Sequence, residues 1–206
     1  MILYGERNPA PNPRRVRIFI AEKGLDLPET RVDMRQRGHK SPEHLARNSL
    51  GQLPTLVLDD GVAISESVAI CRYLESVEPE PPMFGRTPVE QALIDMWIRR
   101  IEFQIMTPVG MFWRHAHPFT AALLTQFTDF GESNRKGYAH GCRWLDRELA
   151  AGGPFIAGAD YSMADIVAQT TIDFAAFTGL TLPEDTPALA DWHARVSARP
   201  SASANS

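Results

Sequence analysis

The stretch "APNPRRVRIFIAEKGL", residues 10–25, sets Pro11 and Pro13 around Asn12 directly ahead of a basic, amphipathic run. Proline suits the first turn of a helix, because its missing N–H would have no partner there. A helix start also leaves N–H groups unpaired and carries a partial positive charge. Asn12 therefore stands either at an ordinary helix start or where helix-terminal N–H groups face an anion. "SES", residues 65–67, offers a similar place, with Glu66 and Ser67 at the junction of an apolar run and a helical one. A Ser at that position caps the helix and can also donate to a carboxylate, since capping and anion binding use the same geometry. "GHKSPE" adds His39 and Lys40, which are cationic candidates or solvated loop charges. "HAHP" places His115 and His117 two apart before Pro118. Without a third clustered ligand the pair predicts no metal site. Arg14, Arg15 and Arg17 could attract an anionic ligand or form a solvated helix face, and the second reading is preferred. Phe103, Met111, Phe112 and Trp113 fit either a core or an apolar pocket for a small molecule.

The background to these residues is ordinary. The 206 residues are 44% apolar and 22% charged, enough for one or two globular domains with a sizeable core. A net charge of −4 gives no electrostatic case for nucleic acid or an anionic membrane. Two cysteines, Cys71 and Cys142, cannot form a disulfide framework and suit a reducing compartment. The first residues lack a basic segment leading into a long apolar one, and the most apolar late stretch is broken by Asp173. A cytoplasmic protein is expected.

The elements that must position the candidates follow from periodicity. Ile2–Tyr4 reads as a strand. A helix over 13–23 carries Val16, Phe19 and Ile20 on one side and stops at Gly24. Thr30, Val32 and Met34 alternate with charges, predicting a strand over 29–34. Ser41, Pro42 and Glu43 open a helix. Strands over 53–59 and 62–64 flank an Asp60-Gly61 turn, and 67–77 is helical. This β-α-β-α-β-β-α order predicts a mixed sheet with helices on it. In "EPEPPMFGRTP", residues 78–88, five of eleven residues are Pro or Gly, which marks a linker. Beyond it the pattern is helical only. Leu93, Trp97, Ile101 and Ile105 share a face until Thr107-Pro108, which should end or kink the helix. A helix over 134–150 follows. Ser162 and Asp165 form a capping box, with Tyr161 and Ile166 as its staple. Leu189, Trp192 and Val196 line a last helix that Pro200 stops. The domains predicted are 1–79 and 89–200, joined by the linker 80–88 and followed by a disordered tail, 201–206.

Three stretches of this chain resemble one family in order and spacing. "NSLGQLPTLVLDDGVAISESVAICRYLE" is similar to the glutathione-binding core of the cytosolic glutathione transferases. "GGPFIAGADYSMADI" resembles their C-terminal capping motif, and "LADWHARVSARPS" their last helix. The resemblance implies a thioredoxin-like α/β N-terminal domain followed by an all-helical C-terminal domain, normally as a homodimer. It implies glutathione as co-substrate, with no metal. On its pattern Pro54 is cis, and the Leu53 backbone pairs with the cysteinyl part of glutathione. Glu66 and Ser67 hold the γ-glutamyl end. Lys40 is the first candidate for the glycyl carboxylate, His39 the second, and Gln52 a supporting donor.

The family's first loop normally carries a Tyr, Ser or Cys that activates the thiol. Here Ala10, Pro11 and Asn12 fall on that loop. An amide cannot act as a base, so Asn12 would stabilise thiolate while water carries the proton away. The loop resembles an atypical bacterial and fungal subgroup with a proline-bracketed turn. In that subgroup the helix dipole and a water held by C-domain residues are credited with stabilisation, and His115 and His117 are the candidates here. The resemblance implies transfer of glutathione to an electrophilic, apolar small molecule, with Phe103, Met111, Phe112 and Trp113 lining the second pocket. Peroxide or disulfide reduction, and a non-catalytic glutathione-binding module, are the alternatives. The missing Tyr, Ser and Cys favour the module; the intact "QLP" and "SES" favour retained glutathione binding.

Overall fold

The structure, a computed structural model, describes residues 1–7 and 10–204. The chain divides into two compact units. One runs to Met83 and is rejoined by the chain from Pro200; the other is Phe84–Arg199.

The first unit contains β1 (Ile2–Gly5), α1 (Pro11–Lys23), β2 (Glu29–Arg31), α2 (Pro42–Arg47), β3 (Thr55–Val57), β4 (Ala63–Ser65) and α3 (Ser67–Val77). The strands form one sheet in the order β2-β1-β3-β4. β1 runs parallel to β2 and antiparallel to β3, and β3 pairs antiparallel with β4. The mixed sheet expected from the alternation is therefore present. Leu3 and Leu56 are fully buried, as are Val16 and Phe19 of α1 and Ile70 and Leu74 of α3. Gly24 closes α1 in the left-handed region, as the stop signal predicts.

Strand lengths differ from expectation for identifiable reasons. Pro54 has no N–H to give, so pairing begins at Thr55. β2 ends at Arg31, and Val32 adds one further bond to the Gly5 carbonyl at 2.8 Å. Asp33 Oδ1 then accepts from the N–H groups of Arg35 and Gln36, which turns the chain away. The tail also differs. Pro200–Ser203 form a 3₁₀ turn instead of a disordered end, with Ser201 buried. α1 holds this turn: Arg14 donates to the Ala202 carbonyl at 3.1 Å and Ser201 donates to Glu22. The end of the predicted tail, 205–206, lies outside the described residues.

The second unit is helical: α4 (Pro88–Ile101), α5 (Thr107–His115), α6 (Pro118–Ala121), α7 (Thr128–Ala151), α8 (Met163–Phe177) and α9 (Pro187–Ser197). The Thr107-Pro108 break takes a particular form. A π turn, Glu102–Met106, joins α4 to α5, and Thr107 Oγ1 donates to the Glu102 carbonyl at 2.9 Å. Proline cannot donate within the helix, and one wider turn accommodates it. α7 passes this turn closely, since a Cβ on Gly141 would meet the Gln104 carbonyl at 2.3 Å.

The capping box at α8 extends further than its motif. Asp165 is fully buried and accepts from the Ser162 N–H, the Ile156 N–H at 3.0 Å and the Trp192 indole at 2.8 Å. One carboxylate thereby ties the start of α8 to the preceding loop and to α9. No helix among the described residues is long and apolar enough to cross a membrane.

Candidate functional site

The Leu53–Pro54 bond is cis. The turn before it is fixed from beneath by two buried side chains. His44 Nε2 donates to the Gln52 carbonyl at 3.0 Å, and Asn48 Nδ2 donates to the same oxygen at 3.1 Å. A carbonyl only accepts, so His44 carries its proton on Nε2. Asn48 also reaches Thr55 Oγ1 at 3.4 Å and accepts from the Leu50 N–H. Gly51 has φ 56°, and a Cβ there would meet the His39 carbonyl at 2.6 Å, so glycine is required. With Gln52 held this way, the half-buried Leu53 has no backbone hydrogen bond among the described residues. It presents an open N–H and C=O suited to an extended peptide.

Sequence reading placed Gln52, Leu53 and Pro54 here and missed His44 and Asn48. Their signal was their position just ahead of the turn, with no charge partner of their own.

Glu66 adopts φ 68°, ψ 117°, which turns the chain sharply from β4 into α3. Its side chain is exposed. The N–H groups of Ser67, Val68 and Ala69 have no backbone acceptor among the described residues, and the first bond of α3 runs from Ile70 to Glu66. This is the open helix terminus that an anion can use. Ser67 itself is 5% exposed.

Asn12 lies in the first turn of α1 and is half-buried. Ser67 Oγ donates to its Oδ1 at 3.4 Å. The other partner of Ser67 is Arg15, whose Nη1 donates to Oγ at 3.5 Å. The expectation of a solvated arginine face is overturned here, because Arg15 is 1% exposed and Arg17 7%. Arg17 grips the Glu29 carboxylate through Nε and Nη2 and donates to the Glu6 carbonyl at 2.8 Å. These arginines bind the start of α1 to its surroundings. Their spacing matched an amphipathic face, but the partners lie elsewhere in the chain.

Glu6 ends the segment that leads from β1 toward the loop. Its buried carboxylate accepts from Arg31 Nε at 2.8 Å and from the N–H groups of Met34 and Arg7. Burial alone would push its pKa up; these donors outweigh burial and hold it below the usual carboxylate value.

The two basic candidates differ. Lys40 is exposed and donates to the Leu50 carbonyl at 2.8 Å. His39 is half-buried, and its Nδ1 is buried with no hydrogen-bond partner among the described residues. Burial, with Lys40, His44 and Arg37 nearby, lowers its pKa, so it is neutral at pH 7. The Gln52 side chain is exposed. Tyr4 lies within β1, with the Arg47 guanidinium 4.2 Å from its ring centre.

In the helical unit, His115 and His117 both have local partners. His117 Nδ1 accepts from the Phe119 N–H at 3.2 Å and caps α6, while its ring lies 4.5 Å from Trp113. His115 Nδ1 accepts from the Phe127 N–H at 3.4 Å, and its ring packs against Phe130. Accepting at Nδ1 places the proton of each neutral ring on Nε2. Phe112 is buried at 4% exposure, with Arg135 stacked 4.6 Å from its ring centre, so it serves the core. Phe103 is 64% exposed, while Met111 and Trp113 are half-buried. Trp113 heads an aromatic cluster with Phe119, Phe174 and Phe177. Among the described residues no group of His, Cys, Asp and Glu is arranged to hold a metal.

A mixed four-stranded sheet that carries a cis-proline turn and an open helix terminus, followed by a helical unit, is the thioredoxin-like plus all-helical architecture expected from the sequence. Family comparison gives the same answer. Residues 10–77 match the model described as "Glutathione S-transferase, N-terminal domain", and residues 130–195 match "Glutathione S-transferase, C-terminal domain". A curated protein of Saccharomyces cerevisiae, "Glutathione S-transferase 2", is 37% identical over 98% of this chain and 87% of its own length. The solved structure of Gtt2 from Saccharomyces cerevisiae superposes with TM-score 0.89 and 36% identity, covering 98% of both chains. A glutathione S-transferase domain-containing protein from Marinobacter aquaeolei VT8 gives TM-score 0.90 at 34% identity, over 98% of this chain and 99% of that one. The chain belongs to the glutathione S-transferase family.

Proposed function

We infer that the protein is a glutathione transferase that adds the glutathione thiolate to an electrophilic, apolar small molecule. The observation that carries this reading is the cis Leu53–Pro54 turn, with its open backbone, in the same unit as the unpaired N-terminus of α3. These two features suit the middle and the γ-glutamyl end of the tripeptide. Leu53 would pair with the cysteinyl backbone. Ser67 and Glu66 would receive the glutamyl carboxylate and ammonium. Lys40, His39 and Gln52 would meet the glycyl carboxylate.

A free thiol has a pKa of about 8.5, and helix N-termini and neighbouring donors lower it. In this reading the thiol loses its proton to water. The N-terminus of α1 and the Asn12 amide N–H then stabilise the thiolate, which attacks the electrophile. Rate is gained from the larger thiolate fraction and from holding both reactants together. The proline-bracketed loop without Tyr, Ser or Cys supports placing the chain in the atypical subgroup it resembles. His115 and His117 enter only through Nε2, because each Nδ1 is already taken. Met111, Trp113 and Phe103 would offer the electrophile an apolar face. A cytoplasmic homodimer, with residues 1–79 binding glutathione and 89–200 serving the second substrate, completes the proposal.

Titrating the thiolate absorbance of bound glutathione against pH tests it. A bound pKa well below the free value supports the transferase reading. Binding without that drop would replace it with the non-catalytic module.

A further inference from the structure

We propose that Arg37 is a specificity-determining residue that reads negative charge beyond the glycyl carboxylate, so that the site favours γ-glutamylcysteinyl thiol peptides whose last residue is a dicarboxylic amino acid. The inference rests on the reading above that places the glycyl end at Lys40, His39 and Gln52.

Charge is distributed unevenly along the chain. Residues 31–47 hold five Lys and Arg against two Asp and Glu. Of the chain's 21 basic and 25 acidic side chains, that leaves 16 against 23 for all the rest. Neither acid of the segment pairs with its central cations. Glu43 is joined to Arg47, and Asp33 accepts from the backbone N–H groups of Arg35 and Gln36. Arg31 is paired with Glu6. Arg35, Arg37 and Lys40 remain, all exposed. The guanidinium groups of Arg35 and Arg37 have no hydrogen-bond or ion-pair partner among the described residues, and the partner of Lys40 is the neutral Leu50 carbonyl.

The backbone singles out Arg37. Its φ of 57° and ψ of 26° lie in the left-handed region, where glycine fits freely and arginine is strained. Among the described residues only Arg37 and Glu66 hold a positive φ without being glycine. Glu66 stands at the proposed glutamyl end, and Arg37 directly precedes the 3₁₀ turn Gly38–Lys40 that carries both basic candidates for the glycyl end. The chain closes tightly around it. The Arg37 N–H donates to the Met34 carbonyl at 3.0 Å, the Gly38 N–H to the Asp33 carbonyl at 2.8 Å, and the Lys40 N–H to the Arg37 carbonyl at 2.8 Å. Strain of this kind persists where the surroundings over-determine it, and it gathers at ligand clamps. The Arg37 charge is felt at His39, whose pKa is lowered by burial first and then by Lys40, His44 and Arg37.

Charge complementarity identifies the ligand. With His39 neutral, a single glycyl carboxylate meets the Lys40 ammonium and leaves the Arg37 guanidinium without a counter-charge. A second carboxylate on the same terminal residue supplies it, and a guanidinium matches a carboxylate with two parallel hydrogen bonds.

The test uses the full-length protein and S-methylglutathione, which has no thiol to titrate. Three relatives with the same S-methyl group are measured beside it by isothermal titration at pH 7. One is its C-terminal amide. The others replace glycine by glutamate, or by glutamine as the uncharged match in size. At low salt the glutamate peptide should bind about threefold to fivefold more tightly than the glutamine peptide, the size of one exposed ion pair. That ratio should fall to about one in Arg37→Gln and persist in part in Arg37→Lys, which keeps the charge. It should also approach one near 1 M salt, where the Debye length is about 3 Å. If the glutamate peptide binds no tighter than the glutamine peptide, or if its advantage survives Arg37→Gln, the proposal is overturned. The amide separates this failure from failure of the underlying reading. If the amide binds as well as S-methylglutathione, the placement of the glycyl end is wrong and the proposal falls with it. Weaker binding of the amide, with no gain from the glutamate peptide, overturns the proposal alone.

Discussion

The turn at Gln52–Pro54 and the loop at Ala10–Asn12 are proposed to serve the same ligand and are built very differently. The first is anchored by His44 and Asn48, both buried, at 3.0 and 3.1 Å from a single carbonyl. The second ends in a half-exposed amide joined to Ser67 at 3.4 Å and, one step further, to Arg15 at 3.5 Å. Holding a peptide backbone needs fixed geometry, because an extended strand has one register. Stabilising a thiolate needs only a donor with the right polarity, and longer bonds let it adjust as charge develops. Binding and activation should therefore respond differently to substitution.

The largest effect is expected at the rigid turn. Asn48→Ala leaves the Gln52 carbonyl and Thr55 hydroxyl short of a buried donor, a cost of about 1–3 kcal/mol. Thermal unfolding should show a Tm lower by several degrees, and S-methylglutathione affinity should fall at least tenfold. A lower Tm with unchanged affinity would mean that the turn keeps its shape without Asn48.

Asn12→Ala should show the opposite pattern. Stability should change by less than about 0.5 kcal/mol, as for a partly exposed residue, while kcat/KM falls roughly tenfold with a raised thiol pKa. A matching loss of S-methylglutathione affinity would erase the contrast between the two regions.

The glycyl end can be resolved by pH. His39 has a lowered pKa and is neutral at pH 7, so a contact with a carboxylate would strengthen as it takes up a proton. If His39 is the contact, S-methylglutathione affinity should rise as pH is taken below 6.5, the value from which burial lowers this group. If Lys40 is the contact, affinity should stay flat over that range and drop in Lys40→Gln. Isothermal titration at several pH values separates the two.

The smallest effect is expected at Glu6. Its folded pKa lies below the ordinary value of 4.5, so the ionised carboxylate contributes stability that is complete above that value. The contribution is lost as pH falls through the lowered pKa. Urea unfolding should show a shallower loss of stability below about pH 4.5 in Glu6→Gln than in the unaltered protein. Equal slopes would remove Glu6 as an anchor of the segment leading to the loop.

Much of this architecture was legible in the chain. A short apolar run marked β1, alternation marked β2 and helical spacing marked α1, which together set out the β-α-β-α-β-β-α order of elements. Ser41, Ser162 with Asp165, and Gly24 announced helix ends through local chemistry. The arginines of α1 were misread because amphipathic spacing shows where a side chain leaves the helix, whereas burial depends on partners such as Glu29 and Ser67 far along the chain. His44 and Asn48 were missed for the same reason, since their shared target is a backbone carbonyl and leaves no mark in composition. The π turn was legible only as a break at Thr107-Pro108, since proline predicts a disturbed helix but not how it is absorbed.

The return of Pro200–Ser203 to α1 has a consequence for the order in which the chain is made. The first unit is not finished when its strands and helices have been synthesised. Arg14 and Glu22 wait for partners at Ala202 and Ser201 that emerge only after the whole of Phe84–Arg199. At about 5–20 residues per second this delay is on the order of ten seconds. During that time the helix bearing Asn12 and Arg15 lacks its outer brace, so the first unit matures last at an element synthesised among the first.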